Sequence, residues 1–441
     1  MKRKTITTFQ QAAAYIDEIP RFTSKHTVEE TKAFLHRMGD PDLEMRILHV
    51  AGTNGKGSVC AYLCSMLAEG GCSVGMFTSP HLVEMRERFR TDKGLVTEEQ
   101  FVWGFDYVME RLGEMRRLSG KPDYHPTFFE LLFLMGVVIF RKEGVEYLIL
   151  ETGMGGRLDA TNAVKNSVLT AITSIGYDHM EYLGNTIGEI AGEKAGILKQ
   201  GVPVVFCDKR KEASLVIEER AKKLGNKAVG IKEGDFFYNK LTKKSIDFFM
   251  HSRYYGYIRL KLETDALYQA ENAALAVRCI EELPDGRKMK REWIEEGLRR
   301  TFWEGRMEEI LPGVYVDGAH NEDGIRAFIR SVEADGCKGR RYLLFSAVED
   351  KNYGEMIKIL SSGGLFEEAV TAGIHDIRGA GAKTLGQHFH GMKCSAAENT
   401  EQALGRLLAG KQEEDFIYIV GSLYLAGEVK ALFRRKSDDQ F

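Results

Sequence analysis

Residues 49–58 read HVAGTNGKGS, a glycine-rich turn around a lysine. A standard phosphate-binding loop is written G-x-x-x-x-G-K-[ST], in which glycines let backbone N–H groups close around phosphate and a hydroxyl beside the lysine serves Mg²⁺. Gly55 and Lys56 fit, but Val50 stands six positions before the lysine and Gly57 directly after it. The hydroxyl, Ser58, comes one residue late. The stretch is either a variant nucleotide loop or an ordinary strand-to-helix turn. Gly52, Gly55 and Gly57 surround a lysine at the one place where a cation is useful, which favours the first reading.

Working outward, MRILHVAG (45–52) reads as a buried strand, and the segment from Ser58 to about Glu69 reads as a helix ending at Gly70-Gly71. Further apolar runs of strand length are CSVGMFTSP (72–80), VEYLILETG (145–153), VLTAITSI (168–175) and VPVVFC (202–207). They alternate with helical patterns, the signature of an α/β fold built on parallel strands. Residues 232–265 are aromatic and charged, and predict a β-rich excursion with hairpins. YQAENAALAVRCIEEL (268–283) is helical, the helix breaks around Phe302 to Gly305, and a second alternating unit carries GVYVDGAHN, RYLLFSAV and FIYIVGS. This predicts two domains, residues 1–301 and 302–441.

With 441 residues the chain is long enough for two or three domains, and 44% apolar with 28% charged residues is ordinary for a globular protein. A net charge of −3 gives no footprint for nucleic acid or an anionic membrane. Anionic ligands must be met by locally placed cations. The basic start MKRKTITTFQ has no apolar segment or cleavage site after it, and the apolar runs at 131–140 and 147–150 are too short to span a bilayer. Seven scattered cysteines without C-x-x-C or zinc spacing read as reduced thiols of a cytoplasmic protein.

Lys56 is placed to reach the β and γ phosphates of a nucleotide, with N–H groups from Thr53 to Ser58 wrapped around them. Gly52, Thr53, Asn54, Gly55, Lys56, Gly57 and Ser58 are thus the candidate ATP-binding loop. Ser58 serves as a Mg²⁺ ligand or only as a helix cap. Glu151, at the end of EYLILE, leaves a parallel sheet where a Mg²⁺-holding acid belongs, although a surface acid at a strand end is the plain alternative. The loop TGMGGRLDATN after it has three glycines, an arginine and an aspartate, too much chemistry for a mere linker. Asp178 and His179 follow another strand end. A lone histidine is more often structural than a ligand, and this one gains weight from its neighbour and its edge. Lys194, taken alone, is a solvated helix lysine.

Together, HVAGTNGKGS, TSPHL (78–82), ETGMGGRLDATN, DHMEYLGNTIGEIAGEKAGILK, GRMEEI, VDGAHN and GSLYLAGEV resemble the folylpolyglutamate synthase and dihydrofolate synthase family, ATP-dependent amide ligases of the Mur ligase superfamily. The match runs in order from about residue 10 to residue 430. The superfamily loop is G-T-x-G-K-x-[ST], which places Ser58 at its Mg²⁺ hydroxyl. The resemblance implies a P-loop ATPase domain with a mainly parallel sheet and a small β excursion, joined to a C-terminal Rossmann-like α/β domain, with ATP and substrates in the cleft between them. It implies Ser58, Glu151 and His179 as metal ligands and Lys194 as a lysine that CO₂ converts to a carbamate supporting a second Mg²⁺. Arg306, Asp317 and His320 correspond to groups reaching ATP from the second domain, Asn272 to an asparagine near the base, and Thr127 to Glu130 to a folate-associated mobile loop. Lys56, Lys194, His179 and Arg306 carry the catalytic assignment.

The chain departs from the family pattern at three places: Glu304 where proline is usual, Ser346 where glycine is frequent, and the segment around Arg378. The implied substrates are ATP, L-glutamate and a folate or dihydropteroate, acting on a monomer without nucleic acid or membrane. A ligase of the same superfamily acting on a cell-wall precursor is the alternative; TSPHL, TFFE and DGAHN disfavour it. A guanine-nucleotide switch would carry N-K-x-D, whereas Asn226-Lys227 is followed by Ala228-Val229. A noncatalytic relative is disfavoured by the complete set Lys56, Ser58, Glu151, His179 and Lys194.

Overall fold

A computed structural model describes residues 6–19, 26–119, 123–242, 244–283 and 289–438; the basic segment MKRKT lies outside the described residues. The α/β expectation holds. Eight strands form the first sheet: β1 (Arg46–Ala51), β2 (Val74–Phe77), β3 (Phe89–Thr91), β4 (Gly94–Leu95), β5 (Tyr147–Glu151), β6 (Ser167–Ile172), β7 (Val204–Cys207) and β8 (Ala228–Ile231). Their order is β4-β3-β2-β5-β1-β6-β7-β8, parallel from β2 to β8 with antiparallel β3 and β4 at one edge.

β1 is central and buried from Ile47 to Ala51, so it reads as a continuous apolar run instead of an alternating one. Leu48 and Val50 enter one core with the helices Lys56–Glu69, Gln269–Glu281 and Arg291–Arg300. Ile47 points the other way, into a core filled by the helix Phe128–Lys142. The apolar run at 131–140 is the buried body of that helix, and no described helix is long and apolar enough to cross a membrane. The register pairs Val50 with Glu151 and Ala51 with Ile172, so the chain leaves β1, β5 and β6 at one carboxyl edge.

The β excursion is a three-stranded antiparallel sheet, β9 (Phe236–Thr242), β10 (Ser245–Ser252) and β11 (Gly256–Leu262), which packs Phe248, Met250, Ile258 and Leu260 onto the first core. The helix Arg291–Arg300 ends before Phe302, and a second sheet follows: β12 (Glu308–Leu311), β13 (Val314–Val316), β14 (Arg341–Phe345), β15 (Glu368–Ala372), β16 (Lys393–Ala397) and β17 (Phe416–Val420). Its order is β12-β13-β17-β14-β15-β16, parallel except for β12.

Two local expectations change. The helix after the glycine loop starts at Lys56, with Gly55 as its cap residue at φ 91°, so Ser58 lies inside the first turn and is not the cap. Thr127 to Glu130 is no loop. Thr127 caps the helix Phe128–Lys142, with reciprocal bonds between Thr127 and Glu130 closing a capping box.

Candidate functional site

The glycine loop is clamped to the end of β6. Gly52 sits at φ 152°, and a Cβ there would stand 1.8 Å from Thr173 Oγ1, so only glycine fits. Thr53 N and Asn54 N donate to Ser174 O at 2.8 and 3.4 Å, and Thr53 Oγ1 donates to Gly176 O at 3.1 Å. These two amides are therefore spent on holding the loop, which narrows the expected phosphate cradle to Gly55 to Ser58. Those four amides begin a 14-residue helix, where the backbone cannot pair them within the helix and its dipole favours an anion.

Around the loop stand one acid, one imidazole and two lysines. Lys56 Nζ donates to Thr53 O at 3.2 Å, and Lys194 Nζ to Gly52 O at 2.8 Å. Lys194 is only 3% exposed, and burial, reinforced by the charge of Lys56, brings its amine down to about 7. Glu151 accepts from Ser79 N at 3.0 Å; burial pushes its carboxyl up, opposed by Lys56 and Arg306. His179 occupies the left-handed backbone region at φ 49°, and burial, with Lys351, His320 and Lys56 acting the same way against Asp178, lowers its imidazole to about 4. It is a neutral ring with a lone pair at neutral pH. Lys56 is the charge felt by Glu151, His179 and Lys194 alike, so the fold gathers residues spread over 139 positions into one site.

Ser58 Oγ is buried and has no hydrogen-bond partner among the described residues, as a hydroxyl suited to a cation would be. With the carboxylate of Glu151 it offers two oxygen donors of the kind that suit Mg²⁺, and the neutral ring of His179 adds a softer nitrogen donor. Among the described residues no group of three or more His, Cys, Asp or Glu is arranged to hold a metal, so serine and lysine must complete any such set.

The facing wall comes from the carboxyl edge of the second sheet. Asp317 is buried and accepts from Tyr268 OH at 2.5 Å, Met307 N at 3.0 Å and Ala319 N at 2.8 Å. It braces the turn that carries Arg306, whose Nη1 donates to Gly305 O at 2.8 Å. His320 Nε2 lies 3.6 Å from Asp178 Oδ2. Asn272 lies against the loop itself: a Cβ on Gly55 would stand 2.3 Å from its Oδ1. A cleft opens between the walls, lined among others by Gly57, Ser79, Glu151, Trp303, Glu304 and Arg306.

Several residues that join the walls were not singled out in the sequence. Asn321 and Asn54 exchange amide bonds at 3.0 and 2.9 Å, and Asn321 Nδ2 also donates to Asp178 Oδ2 at 3.2 Å. Lys351 pairs with Asp178 and approaches His179 Nε2 to 3.4 Å. These charges, with His320, outweigh the burial of Asp178 and hold its carboxyl well below the usual range. Arg210 grips Asp323 through two 2.9 Å bonds. Asn321 could have been found, since it closes the motif VDGAHN; Lys351 and Arg210 carry no local signal.

Residues 122–280 match the Mur ligase middle domain, and residues 305–423 match the Mur ligase glutamate ligase domain. A Bacillus subtilis protein described as dihydrofolate synthase/folylpolyglutamate synthase is 33% identical over 433 residues, covering 96% of this chain and 99% of its own length. The folylpolyglutamate synthase of Lacticaseibacillus casei is 28% identical over 434 residues, covering 96% of this chain and 98% of that protein. The solved structure of Escherichia coli FolC in complex with DHPP and ADP is similar with a TM-score of 0.85 and 26% identity, over 98% of this chain and 99% of that one.

Proposed function

The chain belongs to the dihydrofolate synthase/folylpolyglutamate synthase family of Mur ligases, and from that premise we propose how its residues divide the work of an ATP-dependent ligation of L-glutamate to a folate or dihydropteroate carboxylate. The observation that carries the reading is the convergence of Glu151, His179 and Lys194 on the charge of Lys56, with Arg306 acting on Glu151 from the other half.

The substrate carboxylate attacks the γ-phosphorus as the β–γ bridge breaks, giving an acyl phosphate and ADP. The amino group of glutamate then attacks the acyl carbon, loses a proton, and expels phosphate from the tetrahedral intermediate to leave the amide. Side chains do little covalent work in such a reaction; they position reactants and offset charge. Lys56 and the Gly55 to Ser58 amides hold the β and γ phosphates, and Arg306 meets the transferring group from the facing wall. Asp317 holds the Arg306 turn in place, Asn321 docks the second wall on the loop through Asn54, and His320 faces Asp178. Ser58, Glu151 and His179 would hold Mg²⁺, which supplies neutralisation of phosphate charge when bound. Lys194, an amine near 7, presents the neutral form that CO₂ requires; its carbamate would replace a cation beside the loop by an anion able to support a second Mg²⁺. Closure of the cleft keeps water from the acyl phosphate.

Phosphate release with MgATP and L-glutamate, run beside dihydropteroate and beside a reduced monoglutamyl folate with products identified by mass, tests the proposal. Turnover with both acceptors marks a bifunctional enzyme, and turnover with one assigns a single step. No glutamate-dependent turnover with either would refute it.

A further inference from the structure

The segment linking the two halves touches the glycine loop directly. Trp303 lies on the first turn of the helix Lys56–Glu69: a Cβ placed on Gly57 would come within 2.9 Å of its indole Cζ2 and Nε1. Both residues line the cleft. The guanidinium of Arg90 stands over the indole ring at 5.6 Å, and its Nη2 reaches Glu304 Oε1 at 3.3 Å. Glu304 is in turn 2.8 Å from Lys430 Nζ and 3.6 Å from Arg434 Nη2, both on the helix Leu423–Asp438. Lys430 also grips Glu308 at 2.6 Å, and Arg434 reaches Glu87 at 3.4 Å.

Glu304 is thus the node between an arginine of the first half and two cations of the second. Ion pairs hold the linker here, and ion pairs can be made and broken.

We propose that Trp303 is a positioning residue for the nucleotide loop, held against Gly57 by Arg90, and that Glu304 ties its placement to the last helix, so that nucleotide binding and the seating of the second half are coupled through this linker. The proposal rests on the ATP reading above. Arg90 supplies a cation over the indole face, an arrangement stabilising when partly desolvated. Arg90 and Arg434 are partly exposed, so their pairs with Glu304 weaken with salt, whereas Lys430 is buried and its pair is screened less.

The test uses the full chain with Trp103 and Trp293 replaced by Phe, leaving Trp303 as the one tryptophan of the three. Displacement of a fluorescent ADP analogue by MgADP gives an affinity independent of tryptophan emission. Trp303 emission is expected to shift along the same binding curve. Glu304→Gln is expected to weaken nucleotide binding about three- to fivefold at low salt, a gap that narrows at high salt as the Arg90 and Arg434 pairs are screened. It should raise KM for ATP while kcat stays within about twofold. A merely structural role would lower the active fraction and leave KM unchanged. Glu304→Asp should recover part of the loss. If nucleotide binds but Trp303 emission is silent, or Glu304→Gln binds as wild type does at every salt concentration, the coupling is refuted while the ATP reading stands. If wild type does not bind nucleotide at all, both fall.

Discussion

On the wall built from the first sheet, Ser58 Oγ has no partner, Lys194 is a buried amine near neutrality, and His179 is held in a left-handed backbone that costs about 1 kcal/mol. On the wall built from the second sheet, Asp317 accepts three hydrogen bonds and Asn321 uses both ends of its amide. Ser58, Lys194 and His179 are left electrostatically incomplete, whereas Asp317 and Asn321 are saturated, and Arg306 of the second wall still faces the cleft. Incomplete groups are what a phosphate and a cation would complete, whereas saturated ones fix where a loop stands. The difference separates residues that meet the reacting atoms from residues that bring the walls together, and substitutions on the two sides should fail in different ways.

The largest effect is expected at Lys56. Lys56 Nζ hydrogen-bonds Thr53 O at 3.2 Å and makes no other hydrogen bond or ion pair among the described residues, so Lys56→Met removes little that folds the chain. It removes the cation that stabilises the transferring phosphoryl group, and kcat should fall about 10²- to 10⁴-fold, roughly 3–5 kcal/mol of barrier, with the unfolding midpoint in urea unchanged. Steady-state phosphate release beside a urea melt checks both halves. A variant with near-normal turnover would mean that the incomplete wall is not the reacting one.

This asymmetry also marks what could be read in the sequence. The glycine loop, β1, Glu151 at the end of β5 and the β excursion are local: apolar runs, glycines with special backbone demands and a strand-end acid announce themselves within ten residues. The helix starts at Lys56, two residues before the expected Ser58, because Gly55 caps by conformation and offers no side chain. Thr127 and Glu130 already had capping-box spacing, yet their family resemblance suggested a loop; the reciprocal bonds decide for a helix. The contact between Asn321 and Asp178 joins positions 143 apart, and that between Lys351 and Asp178 joins positions 173 apart. Such pairs depend on how two sheets meet, and no periodicity records that.

A second contrast sets the wall against the interior behind it. His49, on β1, is fully buried, bonds Thr161 Oγ1 through Nε2 at 2.9 Å, and burial lowers its imidazole to about 3. His179 is lowered to about 4 on the cleft side. Both rings take up a proton near pH 6.5 when the chain unfolds but resist it when folded. Each therefore contributes stability that is complete above pH 6.5 and is lost as pH falls toward its folded value, at up to about 1.4 kcal/mol per pH unit for the fully buried His49 and less for His179, whose side chain is 35% exposed and screened by solvent. Urea unfolding at pH 7.5, 6 and 5 should show a shallower acid loss for both His49→Gln and His179→Gln. Only His179→Gln should lose turnover. Equal slopes in wild type and His49→Gln would refute the buried neutral ring.

The smallest effect tests the join itself. Asn54 and Asn321 form two parallel amide bonds across the cleft, but they are not equivalent. Asn321 also caps the helix Glu322–Glu333, its Oδ1 accepting from Gly324 N at 2.9 Å, whereas among the described residues Asn54 Nδ2 makes only the cross-cleft bond. Asn321→Ala should thus cost about 1 kcal/mol for the cap as well as the cross-cleft bonds, and Asn54→Ala the cross-cleft bonds alone. A double-mutant cycle removes the cap from the account, because it appears in both arms that change Asn321. The remaining coupling, read from KM for ATP and from urea unfolding, should be about 0.5–1.5 kcal/mol. If the coupling is present in unfolding and absent from KM, the saturated wall is mere scaffolding. If it appears in KM, the glycine loop meets nucleotide only with the second half seated on it, and the two walls are one site.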